Sequence, residues 1–151
     1  MTPQQFKQLL AHHREEVERT IKRTLPVKLS TTAVHHFRDN FRKSGFVDEG
    51  VEPWKRSKRQ DTPKHPDRAY KTLLSRRNRL YGSIQKRTEP AKAIVYTEVP
   101  YAQAHNEGTT TAGRKHNVRI PKRQFMGESK QLNRKCMTII DSELQKILNN
   151  Q

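Results

Sequence analysis

The sequence predicts one α+β domain, with N-terminal helices, a small mostly antiparallel sheet and a long C-terminal helix. Three observations carry that class. Apolar residues recur at three and four positions near both ends of the chain, the period of a half-buried helix. Between them lie short runs of β-branched and aromatic residues bounded by Pro and Gly, the pattern of short strands and turns. No Gly/Ser linker or break in composition divides the 151 residues, so residues 1–151 read as a single domain.

Thr2, Pro3 and Gln5 supply an N-cap, a first-turn proline and a capping-box partner. Phe6, Leu9, Leu10, Val17, Ile21 and Leu25 keep helical spacing, so a first helix is expected to end before Pro26. Its other face carries Glu15 four residues before Arg19 and Glu18 four before Lys22, both favourable pairs. Ser30, Thr31 and Thr32 are expected to cap a second helix with the stripe Val34, Phe37 and Phe41, ended by Gly45 and packed on the first. Phe46 and Val47 lead through the turn Asp48-Glu49-Gly50 to Trp54, which reads as a core or interface anchor.

Residues 55–79 hold ten Lys or Arg against two Asp, half of the net charge of +16. Pro63 and Pro66 interrupt helix there, so a mobile basic loop is expected over about 55–70, with Tyr70, Leu73 and Leu74 opening a short helix that turns at Asn78. Residues 83–89 and 93–97 read as a hairpin around Pro90-Ala91, to which Val118 and Ile120 would add a third strand. Pro100, Tyr101, Ala102 and His105 suit a two-turn helix stopped by Gly108 in the left-handed conformation. The stretch 109–117 has no periodicity and reads as an exposed arm. From Glu128 the apolar positions Leu132, Cys136, Ile139, Ile140, Leu144, Ile147 and Leu148 predict a helix of about 20 residues.

Composition narrows the function. Only 31 % of residues are hydrophobic, so part of the chain is expected to lie outside one modest core or to be buried on assembly. The charge favours DNA, an acidic protein surface or an anionic membrane, with Lys55, Arg56, Lys58, Arg59, Arg76, Arg77, Arg79, Arg114 and Lys115 as candidate contacts for DNA or an acidic partner. No apolar run is long enough to cross a bilayer, and the acid-bearing N-terminus lacks a continuous apolar stretch, so export is not expected; no membrane is counted among the expected partners. The single Cys136 forms no intrachain disulfide and suits a reducing cytoplasm. The histidine pairs His12-His13 and His35-His36 lack the spacing of metal ligands, and no serine has a visible base beside it. His105-Asn106 and His116-Asn117 faintly suggest an HNH-type nuclease, with Glu107 as the one nearby acid. No catalytic, cofactor or metal site is therefore expected.

Four short blocks stand in a fixed order: Trp54; Leu80 with Ser83 and Ile84; Tyr101-Ala102-x-x-His105-x-x-Gly108; and Pro121-x-Arg123-x-Phe125-x-Gly127. Over roughly residues 37–151 this order resembles the virion morphogenesis, or tail completion, proteins of Mu-like prophages and related tailed phages. The Thr-Gly pair of that pattern is Arg77-Asn78 here, and the segment after Trp54 is unusually basic. Asn tolerates the left-handed backbone that Gly would supply. The resemblance implies a structural protein that completes the tail at its head-proximal end and makes it competent to join the head, commonly as a ring. Its partners would be further copies of itself, the tail tube, neck or connector proteins, and DNA passing through the channel. It would reside in the virion after assembly in the host cytoplasm. In that setting Trp54, Tyr101, His105, Arg123 and Phe125 would anchor the fold or subunit contacts, and the arm would reach a neighbour. The alternative is a nonspecific basic DNA-binding protein.

Overall fold

A capping box opens the chain. In the computed structural model, which describes residues 1–61 and 70–149, the Thr2 hydroxyl accepts from the Gln5 N–H at 3.2 Å and the Gln5 side chain accepts from the Thr2 N–H at 2.8 Å. Helix α1 (Pro3–Arg19) follows, then a π-helical turn (Thr20–Thr24), then α2 (Leu25–Lys43). The expected break before Pro26 does not occur. Proline removes the donor that would reach the Lys22 carbonyl one turn back, and here the Ala91 N–H donates to that carbonyl at 3.3 Å. The π turn, in which the Leu25 N–H reaches Thr20, gives the widened backbone that accommodates the ring. The two expected helices therefore run on without a loop instead of folding back on each other.

Ser30 and Thr31 lie inside α2 and cap nothing. Their hydroxyls donate back to the Val27 carbonyl at 3.1 and 2.7 Å, satisfying themselves without opening the helix. On α1, Lys22 pairs with Glu18 as expected, whereas Arg19 pairs with Glu16 at 3.4 Å. The left-handed stop of α2 is Ser44, at φ 53° and ψ 41°, one residue before the expected Gly45. Gly45 has a different reason to be glycine: a Cβ there would sit 2.6 Å from the Glu52 carbonyl oxygen.

Three two-stranded antiparallel ribbons follow: β1 (Gly45–Val47) with β2 (Val51–Pro53), β3 (Gln85–Glu89) with β4 (Lys92–Tyr96), and β5 (Thr109–Ala112) with β6 (Val118–Ile120). The class is α+β as predicted, but the strands do not merge into one sheet. β6 closes on the segment just before it, a short and entropically cheap loop, through a turn with Gly113 and His116 at positive φ. The arm at 109–117 is thus most of an exposed hairpin. In the central hairpin Glu89 faces Lys92, leaving Pro90-Ala91 as the two-residue turn, with Ala91 at φ 58°.

Short helical turns join the ribbons: α3 (Lys58–Asp61), α4 (Arg79–Gly82) and α5 (Ala102–Glu107). Part of the expected basic loop is therefore helical, and residues 62–69 of it, with Pro63 and Pro66, lie outside the described residues. Tyr70, Leu73 and Leu74 do not form a helix: Leu73 lies in a turn at φ 62°, a backbone that no helix continues through. Asn78 does adopt the left-handed conformation, φ 45° and ψ 37°. Pro100 falls in the turn before α5 instead of its first helical position. Gly108 has a positive φ of 77° but ψ of 160°, so it redirects the chain and is not a helical left-handed cap.

The last helix, α6 (Lys130–Asn149), has the expected 20 residues. Its N-terminus is seated on the β1–β2 turn. Ser129 Oγ accepts from the Leu132 N–H at 3.2 Å, Asp48 Oδ1 from Lys130 at 2.7 Å, and the Asp48 carbonyl from Gln131 at 3.2 Å. Three of the four orphan donors of the helix start are satisfied in this way, and the Asp48 charge faces the positive end of the helix. α6 then packs along α2 and reaches α1, with Lys28 of α2 bonded to Glu143 at 2.6 Å.

Two substitutions should stabilise the fold by removing left-handed strain from residues with a Cβ. Ser44→Gly and Ala91→Gly are each expected to raise the unfolding free energy in urea by about 0.5–1 kcal/mol, while Gly45→Ala lowers it.

Candidate functional site

Residues 121–129 cross the middle of the molecule between β6 and α6 without a strand partner. Their main chain is held by side chains instead. The Trp54 indole N–H donates to the Gln124 carbonyl at 2.8 Å, and Asn40 Nδ2 donates to the Phe125 carbonyl at 3.0 Å. Asn106 clamps the same stretch from the other side: its Oδ1 accepts from the Phe125 and Met126 N–H groups at 2.9 and 3.0 Å, and its Nδ2 donates to the Met126 carbonyl at 3.1 Å. Arg123 binds outward, Nε to the Lys55 carbonyl at 2.8 Å and Nη2 to the Arg56 carbonyl at 3.3 Å, while its own N–H donates to His105.

Aromatic packing locks this junction. Phe41, with no exposed surface, has ring centroids 5.6 Å from Trp54, 5.8 Å from Tyr81 and 5.2 Å from Phe125. Leu80, Ile84 and Ala102 complete the same core. Ser83 joins α4 to the end of β4, its hydroxyl 2.7 Å from that of Thr97. Of the remaining motif residues, Tyr101 is exposed with its ring edge-on to His105 at 5.9 Å, Pro121 is half-buried, and Gly127 is exposed at the bend before α6. A Cβ on Gly108 would lie 2.8 Å from the Lys122 nitrogen, so glycine lets the two segments touch.

Four residues of the junction carry no expectation of a junction role from sequence: His36, Asn40, Asn106 and Ser129. Asn40 sits between Phe37 and Phe41 on the apolar stripe of α2, and a polar residue in that position is the one available signal. Its Oδ1 also accepts from the Val47 N–H at 3.0 Å. The Val47 carbonyl in turn accepts from Ser129 Oγ at 2.7 Å and from His36 Nε2 at 3.1 Å. Asn106, read as part of a nuclease-like pair, holds main chain and has both ends of its amide engaged.

The basic candidates lie on the surface. Lys55, Arg56, Lys58, Arg59, Arg76, Arg77 and Arg79 are all exposed. Arg56 pairs with Asp61 at 2.9 Å, Arg59 donates to the carbonyls of Lys71 and Leu74, and Arg79 lies over the Tyr101 ring at 5.9 Å. Arg114 and Lys115 are apart from these in the chain, exposed at the tip of the β5–β6 hairpin. Among the described residues no three His, Cys, Asp or Glu converge to hold a metal, and no helix is long and apolar enough to cross a membrane.

Side-chain bonds to main chain thus secure the central segment of a small α+β scaffold. The model of the phage virion morphogenesis family matches residues 3–145, and the chain belongs to that family. It is thus a bacteriophage structural protein of virion assembly. No curated protein and no solved structure gives a significant match.

His36 and His105 both have pKa values below the ordinary histidine range, because burial disfavours the imidazolium; a hydrogen bond to Val47 opposes this for His36, and Arg123 reinforces it for His105. The unfolded chain then binds more protons than the folded one below about pH 6.5. Their contribution is complete above that pH and is lost as pH falls through the folded values. The urea midpoint should therefore drop between about pH 7 and about pH 5, less steeply in His36→Gln. At neutral pH, Asn106→Ala is expected to cost about 3 kcal/mol and Trp54→Phe about 1–2 kcal/mol, by leaving main-chain groups unpaired.

Proposed function

We propose that this chain is a tail completion subunit that assembles with copies of itself, in a ring at the head-proximal end of the tail, and makes the tail competent to join the head. One observation carries the reading. Helix α1 has 17 residues and an apolar stripe, yet none of its residues is buried, and Phe6 and Leu10 are 51 % and 52 % exposed. The helix continues through the π turn into α2, so its backbone is held, but Phe6 and Leu10 stay half exposed, and a surface supplied on assembly would bury them. The low hydrophobic content of 31 % fits a subunit that completes its burial in an assembly. The tail tube and the neck or connector proteins are the neighbours such a ring would join.

The first test is electron microscopy of lysates from the parent phage with this gene interrupted, beside a complemented control. DNA-filled heads lying next to unattached or overlong tails are expected; normal infectious particles would overturn the reading. In solution or on tails, Phe6→Ser with Leu10→Ser should abolish oligomers seen by sedimentation while leaving the unfolding of the remaining domain unchanged.

A second reading, nonspecific DNA binding, is favoured by the exposed Lys55, Arg56, Lys58, Arg59, Arg76, Arg77 and Arg79. It predicts duplex binding that weakens steeply with salt. Replacing Lys55, Arg56, Lys58 and Arg59 with Gln should then weaken binding by tenfold or more, on the order expected for several lost phosphate contacts, without unfolding the protein.

A further inference from the structure

Residues of three separate sequence blocks and an arginine of the basic stretch meet around one cavity. It has a volume of about 260 Å³ and is lined by Leu74, Leu80 and Tyr101 together with Arg59, His105 and Arg123. No Asp or Glu lines it among the described residues. Arg123 is only 8 % exposed. Both arginines are oriented by main-chain carbonyls, Arg123 by those of Lys55 and Arg56 and Arg59 by those of Lys71 and Leu74. Carbonyls fix the guanidinium planes without neutralising them, so the positive charge in the cavity is not balanced by its own walls.

The charges also act on one another. Burial lowers the pKa of Arg123, and Arg59 lowers it further. Arg123 adds to the burial that keeps His105 neutral, and His105 Nδ1 has no hydrogen-bond partner. Two like charges held side by side raise the energy of the empty site, and an anion entering it relieves that repulsion. The donors are already in place, so little further ordering opposes binding.

We propose that this cavity is a carboxylate pocket that takes a Glu or Asp side chain from a protein partner. The leucine and tyrosine walls suit the methylenes of one side chain, with the carboxylate at the arginines. Duplex DNA presents its phosphates flanked by sugars along a stiff rod, and is better matched by the open basic surface than by an apolar-walled cavity. The pocket deepens the assembly reading and rests on it for the partner being another virion protein. Its chemistry belongs to the isolated chain, so either idea can fail without the other.

The test is an NMR titration of the isolated, isotope-labelled chain with glutarate at constant ionic strength, following the His105 ring signals. Saturable shifts are expected, weakened about tenfold in Arg59→Gln through loss of a charge-assisted partner and unchanged in Arg114→Gln on the separate hairpin. Inorganic phosphate and a duplex oligonucleotide form the other arms. Absence of saturable shifts in the wild-type chain, an equal loss in Arg114→Gln, or duplex competing for the same signals in preference to glutarate would each overturn the proposal. Asp67 lies outside the described residues; tighter glutarate binding in Asp67→Asn would assign the pocket to the chain's own carboxylate and overturn it as well. The wild-type titration decides the matter even if the Arg59 variant is poorly folded.

Discussion

Buried main chain without a ladder of its own must find partners one group at a time, and the segment between β6 and α6 is where this protein meets that requirement. Asn40 from α2, Trp54 after β2 and Asn106 from α5 each bond to it, and Arg123 ties it back to residues 55 and 56. Phe41 fills the space beneath, in contact with Trp54, Tyr81 and Phe125. Because these elements come from widely separated parts of the chain, the junction substitutes for the continuous sheet that a domain of this class would otherwise use. Each of the three ribbons is too small to be stable alone, and their relative positions depend on this knot.

From the junction the molecule extends in two different characters. Toward the C-terminus, α6 is seated by Ser129 and Asp48 and packs on α2. Toward the N-terminus, the apolar stripe of α1 is covered only in part, with Leu9 and Val17 half-buried and Phe6 and Leu10 exposed. In this member of the phage virion morphogenesis family, the exposed Phe6 and Leu10 are what the proposed assembly reading would bury.

Pro26 shows how a local rule fails for a nonlocal reason. Proline in a helix interior frees a carbonyl, which argues for a helix end when only neighbours in sequence are considered. The Ala91 N–H, 65 residues beyond Pro26, meets that carbonyl and the helix continues. The same limit hid the site: Asn40, Asn106 and Ser129 act on partners 85, 19 or 20, and 82 residues away, and no short-range spacing encodes such bonds. Asn78, by contrast, was legible, since the left-handed conformation it adopts is a property of the residue itself.

The sequence by itself determined the capping box at Thr2, the 20-residue α6, the hairpin around Pro90-Ala91 and the α+β class, because periodicity, capping and turn chemistry act over a few residues. Tertiary structure alone decided that α1 and α2 are continuous, that the strands pair as three ribbons, and that Arg59, His105 and Arg123 surround one cavity. Each of those outcomes depends on which distant groups are near enough to satisfy a donor, close a ribbon or share a charge.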